Sequence, residues 1–137
     1  MSETDVKEVI ATQETDYVVV CFYTSSCKGC AKEVQELTSP GLAMHTEAKL
    51  LLVSLDSGAD LEQKVRTFWQ DQPYPGPFYH LPQQEWMTFL QKEHPNLEGE
   101  IPLSLIYTKE GRLVEAVSFT DPHEIEMIIH QDQSFRQ

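Results

Sequence analysis

The sequence predicts an α/β domain in which a mixed central sheet is flanked by helices on both faces. Three observations predict it. YVVVCFYT at 17–24 and LLLVSLD at 50–56 are unbroken apolar, β-branched and aromatic runs, the profile of strands covered on both faces. A helical pattern at 27–38 joins them, so the strands are expected to be parallel with a right-handed crossover. Towards the C-terminus, PLSLIYT at 102–108 and RLVEAVSFT at 112–120 flank KEG at 109–111, a strand–turn–strand signal in which Gly111 can take a positive φ.

The elements follow in order. TDVKEVIATQE at 4–14 carries Val6, Val9 and Ile10 at helical spacing, with Thr4 or Asp5 available as a cap. After the first strand, Ser26 is the expected N-cap of the helix 27–38, whose apolar face holds Val34 and Leu37. Pro40 and Gly41 interrupt it, and a further turn or two is expected through Leu42 and His45. After the second strand, residues 60–70 read as an amphipathic helix, with Leu61, Val65, Phe68 and Trp69 towards the sheet. PYPGPFYHLP at 73–82 is turn-rich and leaves room for a short extended piece at 78–81. QQEWMTFLQKEH at 83–94 is helical again, with Trp86, Met87, Phe89 and Leu90 near its apolar side. Asp121 and Pro122 open a last helix at about 122–131, packed through Ile125, Ile128 and Ile129, and the tail DQSFRQ is expected to fray.

A length of 137 residues suits a single domain, here 1–137 with an N-terminal helix at about 4–14. The net charge of −12 with no basic patch speaks against nucleic acid and anionic membrane surfaces as partners. No apolar run approaches the roughly 20 residues that span a bilayer, so no membrane segment is expected. The start, MSETDVKEVI, is polar and acidic and has no signal-peptide pattern. As given, the chain reads as cytoplasmic. A leader removed and replaced by Met1 leaves the same text, which keeps a periplasmic or other exported location open.

The chemistry is concentrated in SSCKGC at 25–30, directly after the first strand. Cys27 at the first turn of the following helix and Cys30 three residues on share one helix face, so a disulfide between them is sterically allowed. Unpaired amides and the helix dipole favour a thiolate at Cys27, Lys28 adds positive charge, and the Cys27 pKa is expected below the free-thiol value of about 8.5. Cys27 is expected to be the exposed, attacking sulfur and Cys30 the more covered, resolving one. Two other readings compete. A metal site needs about four ligands, and beyond Cys21, the histidines and scattered carboxylates there is no second cysteine pair. The cysteines can also be inert core residues. The order strand, loop, CxxC, helix favours the redox pair, which needs no metal or other cofactor. Ile101-Pro102 stands directly before a strand, a position where proline is tolerated. Trp69, Trp86 and Phe89 read as core.

FYTSSCKGCAKEVQEL, LLLVSLD and EIPLSLIYTKEGRLVEAV together resemble the thioredoxin-fold family, over about residues 17–130. The resemblance implies a thioredoxin-like three-layer fold and a thiol-disulfide oxidoreductase. It implies that Pro102 is the cis-proline facing the disulfide and that Ile101 offers backbone hydrogen bonds to an extended substrate segment beside Cys27. Ser26, Lys28 and Gly29 are then further substrate contacts. Glu33 resembles the acidic position of the thiol reductases related to cytochrome maturation, where it is a candidate proton relay. The enlarged segment before the proline strand, about 71–100, also matches that subgroup. The chain departs from the pattern at four places. Ser26 replaces an aromatic residue, Lys28-Gly29 replaces Gly-Pro, and Val34-Gln35 lacks the subgroup's proline. Cys21 replaces the buried acid or polar residue of the central strand, and reads either as a weak proton relay or as a small buried hydrophobe. The partners implied are a protein disulfide substrate and an unidentified electron donor or acceptor. The alternative is a thioredoxin-like binding or redox-sensing module without efficient turnover.

Overall fold

Apolar alternation decides how the layers form. The computed structural model describes residues 3–38, 47–56, 61–69, 78–118 and 120–135. In chain order the elements are α1 (Glu3–Ala11), β1 (Tyr17–Tyr23), α2 (Lys28–Leu37), β2 (Ala48–Ser54), α3 (Leu61–Trp69), β3 (Phe78–His80), α4 (Gln83–Glu93), β4 (Leu103–Thr108), β5 (Leu113–Ser118) and α5 (Pro122–Phe135). The sheet order is β3-β2-β1-β4-β5. β1 pairs in parallel with β2, β2 in parallel with β3, and β4 runs antiparallel to both β1 and β5. The mixed sheet is therefore as the sequence predicts.

Side chains of β1 alternate between two apolar clusters, because successive residues of a strand point to opposite faces. Val18, Val20 and Phe22 join Val6 and Ile10 of α1 and Trp86, Phe89 and Leu90 of α4 on one face. Val19, Cys21 and Tyr23 join Cys30, Val34 and Leu37 of α2 and Ile125 and Ile129 of α5 on the other, with Phe68 of α3 packed against them. β1 is buried along its whole length, which is why its sequence shows no polar alternation.

Several boundaries differ from the sequence reading. α1 stops at Ala11 rather than at 14, and Thr12 and Gln13 instead close the helix end through bonds to the carbonyls of Glu8, Val9 and Ile10. Met87 is exposed, unlike its neighbours Trp86, Phe89 and Leu90. α5 runs on to Phe135 instead of fraying after 131, because Asp132 accepts hydrogen bonds from Tyr17 Oη at 2.7 Å and from Arg112 at 2.8 Å. Its start is as expected, with Asp121 Oδ1 accepting the Glu124 amide at 2.8 Å. Gly111 sits in the β4–β5 turn at φ 90°. The expected helical turns around Leu42 and His45, and residues 73–77 of the turn-rich stretch, lie outside the described residues.

Candidate active site

β1 and β2 are parallel, so both end at the same edge of the sheet, and their C-terminal loops meet there. β4 runs the other way and begins at that edge. Leu103 pairs with Phe22, so Pro102, one residue earlier, stands level with Tyr23, the last residue of β1. The topology thus brings the β1–α2 loop, the end of β2 and the Ile101-Pro102 step together.

Cys27 and Cys30 form a disulfide with their Cα atoms 5.2 Å apart. The N-cap of α2 is Cys27 itself, not Ser26: the Cys30 amide donates to Cys27 Sγ at 3.2 Å. A hydroxyl is the more usual cap, but a sulfur at that position receives the same orphan helix amide. Ser26 is exposed and lies 3.4 Å from Thr24 through their hydroxyls. Cys27 is half-buried, Cys30 fully buried and Gly29 half-buried, whereas the Lys28 side chain lies outside the described residues. The Ile101-Pro102 peptide bond is cis. Pro102 is buried, and Ile101 and Cys27 pack against the same cluster, which also contains Cys30.

Glu33 sits one turn beyond Cys30, on the covered side of α2, only 3 % exposed. Its Oε1 accepts the Thr120 amide, and among the described residues its Oε2 has no hydrogen-bond partner. Burial pushes its pKa up from 4.5 to about 7. The Thr120 amide offsets part of this, and the Glu36 and Glu124 carboxylates add to it. Cys21 pairs across the ladder with Ser104 and is fully buried. The Cys21 thiol is pushed up to about 12, chiefly by burial and also by the Glu33 charge, with the Ser104 hydroxyl acting the other way.

No protein-family model matches the chain, and neither does any curated protein. Solved structures do match. A thioredoxin-related protein from Neisseria meningitidis serogroup B superposes with a TM-score of 0.72 at 14% identity, covering 90% of this chain and 89% of that one. StoA from Bacillus subtilis gives 0.66 at 18% identity, covering 86% and 85%. A thiol:disulfide interchange protein of the thioredoxin family from Chlorobium tepidum TLS gives 0.66 at 13% identity, covering 96% and 84%. The chain has the thioredoxin fold. Within this thioredoxin fold, a buried acid is on α2 at Glu33, and β1 carries the thiol of Cys21 opposite Ser104.

Sequence reading missed one group in the thioredoxin-fold site. Asp56, just past β2, is 6 % exposed. Its carboxylate accepts the Ser25 amide at 3.0 Å on Oδ1 and 3.1 Å on Oδ2, the Ser25 hydroxyl at 2.7 Å and the Ser54 hydroxyl at 2.7 Å. His80 Nε2 lies 2.6 Å from the Asp56 carbonyl oxygen. The available signal was an aspartate closing an apolar strand that runs parallel to the one before the cysteine pair. Among the described residues, no cluster of three or more His, Cys, Asp or Glu residues suits a metal ion, and no helix is long and apolar enough to cross a membrane.

Proposed function

We propose that this chain is a thiol-disulfide oxidoreductase that exchanges its dithiol for the disulfide of a protein substrate. The observation that carries the reading is the Cys27–Cys30 disulfide at the start of α2, with the helix amide of Cys30 directed at Cys27 Sγ. An amide in that place stabilises negative charge on the outer sulfur. In the reduced protein the Cys27 thiolate attacks one sulfur of the substrate disulfide. A mixed disulfide forms and the first substrate thiolate leaves. Glu33 takes the proton of Cys30, directly or through a water, and the Cys30 thiolate attacks Cys27 Sγ. The second substrate thiolate is released, two electrons have passed to the substrate, and the protein is left with its own disulfide. A dithiol donor then restores the reduced form.

The remaining roles belong to the same proposal. Ile101, half-buried before the cis bond, presents backbone groups to an extended substrate segment. Exposed Ser26 and half-buried Gly29 are further contacts for that segment, as is Lys28 by its place in the sequence between the two cysteines. Cys21 serves as a small buried hydrophobe rather than a proton relay, since it is fully buried and burial raises the pKa of its thiol. The test is reduction of insulin disulfides by the prereduced protein, with Cys27→Ser as control. Turnover well above the control is expected. Turnover equal to it would leave a thioredoxin-like binding or redox-sensing module.

A further inference from the structure

Cys27 is presented by the short turn Thr24–Ser26, and that turn is held by a buried anion. The Asp56 carboxylate grips Ser25 through the backbone amide and the hydroxyl, and is itself braced by Ser54. The Asp56 amide in turn donates to Ser54 Oγ at 3.1 Å, and His80 of β3 reaches the Asp56 carbonyl. Every partner described for the carboxylate is a neutral donor. Such donors stabilise a carboxylate but leave its charge in place, and burial weakens solvent screening of that charge. The carboxylate thus grips the residue two before Cys27, whose sulfur also receives the helix amide that favours a thiolate.

We propose that Asp56 is a positioning residue for the dithiol: it fixes the turn that presents Cys27, and its charge opposes the thiolate there, biasing the pair towards donating electrons. This deepens the reading given under Proposed function and rests on it for the direction of exchange. The chemistry is general. A less stable thiolate means a less stable reduced form, so the disulfide form is favoured and the dithiol becomes the better reductant. Among the described residues, Glu33 lies one turn beyond Cys30 on α2 and the His80 imidazole lies beside Asp56; the Lys28 side chain, next to Cys27 in sequence, is outside them.

The test compares Asp56→Asn with Ser25→Ala. Both weaken the clamp, but only the first removes the charge. Thiolate absorbance is titrated in a Cys30→Ser background, where burial keeps the Cys21 thiol protonated. The equilibrium with glutathione is then measured in chains that keep both cysteines. Asp56→Asn is expected to lower the Cys27 pKa by about half a unit or more. It is expected to shift the glutathione equilibrium about threefold towards the reduced protein. Ser25→Ala is expected to lower neither. An unchanged or raised Cys27 pKa in Asp56→Asn overturns the proposal and leaves Asp56 a structural brace. Equal downward shifts in both variants overturn it too, because the clamp and not the charge would then be the cause. Asp56→Ser replaces Asn if that variant does not fold. Both readouts belong to the dithiol and need no client. A parent protein that fails to reduce insulin while Asp56→Asn still shifts would remove the proposed function and leave this inference standing.

Discussion

Glu33 is an acid that the fold holds out of water, and this gives it a pH signature. Unfolded, the group ionises near 4.5; folded, near 7. Between those values the folded chain binds more protons than the unfolded one. Stability therefore falls as pH rises through that window and levels off above it. Glu33→Gln is expected to remove this decline, which urea midpoints taken from pH 4.5 to 8 will show as a flatter profile than the parent's. Parallel profiles would place the acid's ionisation elsewhere. The same variant is expected to accumulate the mixed disulfide, slowing its resolution about tenfold or more if Glu33 is the base. The identity and spacing of Glu33 were legible in the sequence, but its burial was not. Burial is decided by Thr120, which lies 87 residues further along the chain. Asp56 escaped for the same reason, since its partner Ser25 is 31 residues away. The cysteine pair was readable because both sulfurs and their helix are local.

Helix ends show the same division between local and distant causes. The start of α5 could be read from Asp121-Pro122, because an N-cap acts within its own turn. Its end could not. The polar tail beyond 131 looks like fraying chain, yet Asp132 fastens that turn to β1 through Tyr17 and to the start of β5 through Arg112. The carboxylate side chain is 11% exposed and that of Arg112 is 54% exposed. Asp132→Ala removes both bonds, one of them to a buried tyrosine, and is expected to cost about 1–3 kcal/mol. Arg112→Ala removes only the exposed ion pair and is expected to cost much less than Asp132→Ala. Urea unfolding of the two variants checks the order. Equal losses would mean that the surface pair, and not the tyrosine contact, docks the helix. The cap of α2 went to Cys27 and not Ser26 because the preceding turn is pulled back by Asp56, a contact that no cap rule can see.

The sheet divides the molecule into two apolar layers, and the dithiol belongs to one of them. Cys30, Cys21 and Val34 pack with α5, whereas Trp86, Phe89 and α1 occupy the opposite face. Ile101 touches both clusters and is the described residue through which the far layer meets the site. Energy lost in the far layer should therefore appear in stability before it appears in chemistry, since well-separated sites act nearly additively. Phe89 tests this. It is 1 % exposed, and its ring lies 6.1 Å from that of Phe22 and 6.2 Å from that of Trp86. Phe89→Leu keeps the site apolar but leaves part of that space unfilled, and is expected to cost about 1–2 kcal/mol. The rate of thiol exchange, measured well below the unfolding temperature, is expected to stay within about twofold of the parent, a change worth under 0.5 kcal/mol. A large loss of rate in a folded Phe89→Leu protein would show that the far layer sets the geometry of the cis-proline strand through Ile101. The two faces of the sheet would then have to be treated as one mechanical unit.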